Sequence, residues 1–542
     1  MARSALASTL RGPTQIQPVC CPAVRVEILR ACSVPSYVSR DVHRFAVRDN
    51  KGVPPVNYRP RSYRIQELDR LLEHDPDAIE LRFERAGLLR EQGCFEEAKR
   101  DYLELLRRRP THFGALNDFG TLVLNAGFRS AARTLFGEAV KHHPDNPIGH
   151  VNLANFLYLV GEQAEARVHF EAALRIDPDH LHAHRGLSNV LAEIGDRAGA
   201  RLHRDKGFKD QFLTPLPYHG DRPPISVLLL VSAVGGNVPT NSLIDNHYFK
   251  TIVLAAEYYD PNVPLPSHDL VFNSIGDADL CHEGLEAACS IVARTSRPVI
   301  NHPLAVLRTG RVSNAERLRG LPNVLVPRMA EFPRRLLAGP DGVAAIESNG
   351  FAFPLLVRAP GFHTGRHFVR VESAHELSAA AMDLPEDSLW IIEQLDARGR
   401  DGKFRKCRVM IIDQRLYPLH LAISNHWKVH YFTAQMAESA EHRSEDAEFL
   451  EDMANVVGPP GVAALERICK TLALDYGGID FAVNCEGDIL FFEANATMIV
   501  PPPVADPKWS YRRPAVERVL SAVRGMLTDR VVGSNSCRFR SN

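Results

Sequence analysis

Two carboxylates that face each other across a hairpin are the residues of this chain best placed to do chemistry. Residues 477–498 hold two runs of alternating apolar residues around Glu486-Gly487, the pattern of a β-hairpin. With an even-length loop centred on that turn, Asp480 lies opposite Glu493. Ile479, Phe481 and Val483 then share a core face with Leu490, Phe492 and Ala494, and Asp480, Phe491, Glu493 and Asn495 take the other face. Carboxylates paired directly across a ladder repel unless a positive charge neutralises them. Magnesium suits the role, because it takes one or two carboxylates and completes its shell with phosphate oxygens and water. The plainer alternative is an edge hairpin with a solvated acidic face.

A second candidate lies upstream. In residues 353–371 a strand ends in Arg358, a loop with Gly361 and Gly365 follows, and a second strand begins. Glycines let a loop wrap its backbone N–H groups around an anion, and Arg358 would face the same phosphates; an ordinary hairpin with an exposed loop is the other reading. Gly235-Gly236, after the apolar run Ile225–Val231, is a weaker phosphate cradle. A basic stretch holds His420, His426, Lys428, His430 and Tyr431. No Cys or carboxylate stands at ligand spacing from these histidines, so three readings remain open: a transition-metal site, a surface strand face, or a hydrogen-bonding wall for phosphate or an anionic substrate. Arg512 and Arg513 could reach the same cleft or merely begin a solvated helix.

These residues need elements to hold them. The chain has 542 residues, which suggests three or four domains. With 64 Lys plus Arg against 65 Asp plus Glu, no global charge field recommends nucleic acid or a membrane as partner. Ten scattered cysteines without a C-x-x-C pair read as reduced thiols of a cytoplasmic protein. Residues 1–60 carry nine Lys/Arg and three Asp/Glu and read as a disordered segment; Pro13, Pro18 and Pro22 interrupt the amphipathic pattern an organellar leader would need.

From residue 61 to 212 the sequence repeats every 34 residues: Pro76, Pro110, Pro144 and Pro178; Gly93, Gly127, Gly161 and Gly195; Ala98, Ala132, Ala166 and Ala200. Small residues at Ala86, Gly120, Ala154 and Ser188 and aromatics at Tyr102, Phe136 and Phe170 keep the same phase. Each unit reads as two helices with a glycine turn between them. The pattern resembles the tetratricopeptide repeat, whose arrays present a groove to a protein or peptide; a plain spacer is the alternative. Arg204 replaces the aromatic in the last unit, as a polar capping repeat requires. Residues 213–224 read as a Pro- and Gly-containing linker. Beyond them, runs such as Ile225–Val231, Asp269–Asn273 and Glu283–Ala293 alternate as in an α/β unit with a mainly parallel sheet.

The order of a glycine loop, the strand ending in Glu393-Gln394-Leu395 and the acidic hairpin resembles the ATP-grasp enzymes. The resemblance implies an α/β pre-ATP-grasp domain (225–305), an α+β ATP-grasp domain (306–530) with a lid (306–395) and a metal-binding part (396–530), and a tail (531–542). It implies ATP and Mg²⁺ as cofactors and Asp480, Glu493 and Asn495 as metal ligands. Arg358, Gly361, Gly365, Glu393, Gln394, Leu395 and Phe491 would contact the nucleotide, Arg358, Arg408 and Lys428 would be catalytic, and His420, His430, Arg512 and Arg513 would face substrate. Asn301-His302-Pro303 resembles the crossing into the lid. Arg358 and Arg311 stand where the family usually has lysine, and Lys406 where many relatives have aspartate. The implied activity is ligation of a carboxylate to an amine through an acyl-phosphate; a hydroxyl kinase and a repeat scaffold with a degenerate nucleotide domain are the alternatives.

Overall fold

A computed structural model describes residues 61–361, 365–429, 434–501 and 506–538. The described residues divide into two compact units that part between Gly207 and Phe208. In the first, the helix Arg61–His74 precedes four helix pairs: Ile79–Glu91 with Phe95–Arg108, Phe113–Asn125 with Arg129–His142, Pro147–Leu159 with Gln163–Ile176, and Leu181–Glu193 with Arg197–Phe208. Between the helices of each pair the chain passes through left-handed backbone at Gly93, Gly127, Gly161 and Gly195, with φ of +73°, +88°, +87° and +85°; a side chain is strained there. Gly120 has a different reason to be small. A Cβ there would come within 2.7 Å of the Phe136 ring, so the absent side chain is the socket for the aromatic of the second helix.

The second unit is a mixed α/β assembly built on three sheets. The first contains β1 (Leu213–Pro215), β2 (Ile225–Val231), β3 (Phe249–Ala255), β4 (Leu270–Asn273) and β5 (Val299–Ile300) in the order β1-β3-β2-β4-β5. β3, β2, β4 and β5 run parallel, which explains the unbroken apolar run of β2: a strand covered on both faces has no polar side. β1 lies antiparallel to β3, so the start of the expected 213–224 linker is in fact an edge strand. The second sheet is antiparallel throughout and joins β7 (Met329–Pro333), β8 (Leu355–Arg358), β9 (Phe368–Val371) and β10 (Ser388–Glu393) in the order β7-β10-β8-β9.

The third sheet has the order β12-β11-β13-β14-β6, from β6 (Val324–Leu325), β11 (Phe404–Ile412), β12 (Arg415–Ser424), β13 (Tyr476–Val483) and β14 (Ile489–Asn495). One face buries Val409, Ile411 and Ile479 with Ala464, Leu465 and Ile468 of the helix Met453–Leu472. The other buries Met410, Ile412 and Tyr476 beneath Val516, Val519 and Val523 of the helix Arg513–Arg538. That helix continues to Arg538, so residues 531–538 are not a separate tail. Asn301 stitches the first sheet to the third: at φ +54° its amide donates to Tyr476 O and accepts from Tyr476 N, both at 2.8 Å, standing in for a strand partner. No helix among the described residues is long and apolar enough to cross a membrane.

Candidate functional site

The hairpin pairs Asp480 with Glu493 and Gly478 with Asn495, as the sequence suggests, but by two departures that cancel. Its loop has an odd number of residues, Cys485–Gly487, closed by Asn484 N–H donating to Asp488 O at 3.0 Å with Gly487 at φ +88°. Near the turn, therefore, Val483 pairs with Ile489 and Phe481 with Phe491; an extra residue at Phe492 then restores the Asp480–Glu493 pair. A bulge of this kind reverses the alternation of side chains. Phe491 consequently packs with Phe481 and Ile489 in the core, while still lining the pocket beside Glu493 and Asn495. Leu490 and Phe492, expected in that core, pack with Ala482 and Leu395 on the other side.

In register, His420, Arg408, Asp480 and Glu493 form one row across β12, β11, β13 and β14. Arg408 donates from Nε to Asp480 Oδ1 at 2.6 Å and from Nη2 to Oδ2 at 2.8 Å, and Lys406 Nζ reaches Oδ2 at 3.0 Å. Burial opposes ionisation of Asp480, but Arg408 and Lys406 outweigh it and hold the carboxyl far below its ordinary range. Glu493, about 26 % exposed, meets Arg311 Nη2 at 2.7 Å and accepts from Asn495 Nδ2 at 2.8 Å. Burial opposes its charge too, and Arg311 and Arg358 overcome it. His420 is 3 % exposed and kept neutral by burial and then by Arg408, which removes the surface-face reading for this residue. His430 lies outside the described residues.

Beside Glu493 opens a cleft lined by Asp277, Asp279, Arg311, Gly361, Trp390 and Phe492, among others. Trp390, Asp277 and Asp279 carried no motif in the sequence; only the pairing of β10 and the loop after β4 bring them here. Arg311 stacks over Trp390, 5.8 Å from the ring centre. Arg358, 7 % exposed at the end of β8, lies over Phe368 at 5.4 Å. Burial pulls its pKa down to about 10, Arg311 adds to that, and Glu493, Asp277 and Asp279 oppose it. Lys428 Nζ donates to Phe368 O at 3.1 Å, and a Cβ on Gly365 would meet Lys428 Cε at 2.6 Å. The fold thus brings Arg358, Gly365 and Lys428 together.

Other candidates lie elsewhere. Glu393 does not line the cleft: its carboxylate accepts Arg328 N–H at 2.9 Å and ties β10 to the segment entering β7. Gln394 and Leu395 are half-buried behind it, and Trp390 is the β10 residue in the cleft. Arg512 is not a cleft residue but the partner of buried Asp446, with Nε 2.7 Å from Oδ2; the same carboxylate accepts Tyr511 Oη at 2.6 Å and Leu421 N–H at 2.7 Å. Arg513 is exposed at the start of the last helix. Just before Gly235-Gly236, Glu257 accepts from Ser232 Oγ at 2.5 Å and from Ala233 N–H at 3.1 Å, and Gly235 N–H donates to Ser232 O at 3.4 Å.

Residues 117–180, within the helical array, match the tetratricopeptide repeat family. Among solved structures, MamA from Desulfovibrio magneticus RS-1 is 18 % identical over 27 % of this chain and 84 % of its own, with a TM-score of 0.26. YrrB, described as a TPR protein with an unusual peptide-binding site, is 20 % identical over 28 % of this chain and 78 % of its own, TM-score 0.25. Pseudomonas aeruginosa pilF is 19 % identical over 27 % and 74 %, TM-score 0.25. Among curated proteins, no sequence matches the chain.

Proposed function

We propose that the second unit is a magnesium- and ATP-dependent carboxylate–amine ligase of the ATP-grasp type, and that the repeats recruit a protein or peptide partner. The observation that carries this reading is one cleft lined by Glu493 and Asn495 from the third sheet, by Trp390 from the second and by Gly361 just beyond β8, with Arg358 at the end of β8 near enough for Glu493 to feel its charge.

The donors fit a magnesium ion by type. Two carboxylates and an amide, Asp480, Glu493 and Asn495, leave the remaining positions to phosphate and water. Among the described residues no three His, Cys, Asp or Glu side chains cluster to form an all-protein metal cage. When bound, such an ion neutralises and orients phosphate oxygens. Arg358 and Lys428 would add positive charge beside the transferring phosphoryl group, and Gly361 and Gly365 would let the backbone approach it. Arg408 and Lys406 keep Asp480 ionised and aligned in this reading, which makes Arg408 a positioning residue. Trp390 and Phe492 would shield the cleft from water.

A second reading rests on the same contact. Asp480 is already matched by Arg408 and Lys406, as in a domain whose metal site has been replaced by internal ion pairs, leaving a repeat-based scaffold. The test is to incubate the full chain with Mg-ATP and a panel of carboxylate and amine pairs, following phosphate release and products by mass spectrometry. An amide formed with equimolar ADP and phosphate supports the ligase. A stable phospho-product would replace it by a kinase, and absence of nucleotide binding would leave the scaffold.

A further inference from the structure

One position of the repeat holds three different solutions to the same packing problem in four units. Spaced by 34 residues, the pairs are Arg82–Asp101, Leu116–Leu135, His150–His169 and His184–His203, each joining the first helix of a pair to the second. Arg82 donates to Asp101 at 3.2 Å and to Pro76 O at 2.7 Å. Leu116 and Leu135 are buried. In the third and fourth pairs the Nδ1 atoms of two histidines meet, at 3.0 Å for His150–His169 and 2.8 Å for His184–His203.

The protons of these contacts follow from their partners. His150 Nε2 is 3.0 Å from Pro144 O and His184 Nε2 2.9 Å from Pro178 O. A carbonyl only accepts, so each of these Nε2 atoms carries the proton and each neutral ring offers a bare Nδ1. His169 and His203 must therefore donate from Nδ1. A proton added to Nε2 of His169 or His203 leaves this bond in place; a second, on Nδ1 of His150 or His184, removes the acceptor and sets two cations face to face. His150 and His184 are 9 % and 3 % exposed, so little water is at hand to screen them.

We propose that the two histidine pairs are a proton-operated lock that holds together the helices of the third and fourth repeats at neutral pH and releases them under mild acidity. Burial depresses the affinity of His169 for protons and His150 adds to it; burial does the same for His184 and His203. Lys206, His180 and the pairing itself also disfavour charge on the fourth-repeat pair, and Asp179, Glu171 and Asp196 oppose them. With folded-state affinity below that of the unfolded chain, the unfolded state binds more protons, so stability is full above the ordinary histidine range and falls as pH drops through it.

The chain supplies its own control, because leucine occupies both positions in the second repeat. Amide hydrogen exchange of the full chain, corrected for intrinsic rates, is measured at pH 7.5 and 5.5. Protection of 147–176 and 181–208 is expected to fall by about tenfold for each histidine kept neutral, while 113–142 falls less. The variant His150→Leu/His169→Leu should lose this pH dependence in 147–176 and keep it in 181–208, and His184→Leu/His203→Leu should do the reverse. Equal pH dependence in wild type and both variants, or equal protection at the two pH values in wild type, would overturn the lock. The same profile with a chelator present supports protons as the trigger; loss of the pH dependence on chelation would assign it to a bound metal and overturn the proposal.

Discussion

Arg408 holds both oxygens of Asp480, at 2.6 and 2.8 Å, from the neighbouring strand of the same sheet. The carboxylate is only about 3 % exposed, so its charge depends on that grip and on Lys406. Removing one partner of a buried pair costs about 3–5 kcal/mol. Arg408→Leu is therefore expected to lower the denaturation midpoint of the second unit sharply. Adding Asp480→Asn should restore part of the loss, since the orphaned charge goes with it. A single variant as stable as wild type in chemical denaturation would show that the pair does not anchor the sheet.

Asp446 and Arg512 give a contrasting case. Asp446 is fully buried and accepts hydrogen bonds from Arg512, Tyr511 and the Leu421 backbone, away from the cleft lining. Asp446→Asn should destabilise the second unit by about 3 kcal/mol, yet leave nucleotide affinity within twofold where the protein is folded. A fall in affinity without a change in melting temperature would place this pair in the binding machinery after all.

In the repeats, Gly127 sits at φ +88° with open space around its missing side chain, so a substitution there meets strain and no clash. Gly127→Ala should cost about 1 kcal/mol, whereas Gly120→Ala, which would drive a methyl into the Phe136 ring, should cost more through overpacking, about 1–3 kcal/mol. Thermal unfolding of the two variants side by side checks the order.

The repeats were legible because their signals are local: a proline, a glycine and an alanine at fixed phase each report on their own turn or helix contact. The Asp480–Glu493 pair was legible too, but partly through compensation, because an odd loop at Asn484–Asp488 and an extra residue at Phe492 restore the register a simple even loop would give. A bulge leaves no clear mark in a run such as Ile489–Glu493, and so Phe492 left its expected core face for the cleft, where Phe491 lies as well. Arg512 misled for a different reason. Closeness in sequence to the hairpin does not decide which buried carboxylate an arginine meets, and Asp446, on a helix 66 residues away, has no motif. Trp390, Asp277 and Asp279 reach the cleft only through long-range strand order.

Arg358 tests the second sheet's part in the cleft. Its guanidinium is buried and lies over Phe368, and the charges of Glu493, Asp277 and Asp279 favour its protonated form. Arg358→Ala should weaken nucleotide binding about tenfold or more, and Arg358→Lys should retain part of it, since a point charge replaces the fork. Equal affinities for wild type and Arg358→Ala in equilibrium titration would show that the residue serves packing alone.

The central claim is that Glu493 holds the cation through which ATP binds. The most direct measurement is calorimetric titration of the full chain with ATP, in magnesium and in excess chelator, for wild type and Glu493→Gln. The account predicts saturable binding by wild type in magnesium, its loss in chelator, and weak binding by Glu493→Gln that no longer depends on the metal. Identical magnesium-dependent binding by wild type and Glu493→Gln, or no binding by wild type under any condition, would contradict it.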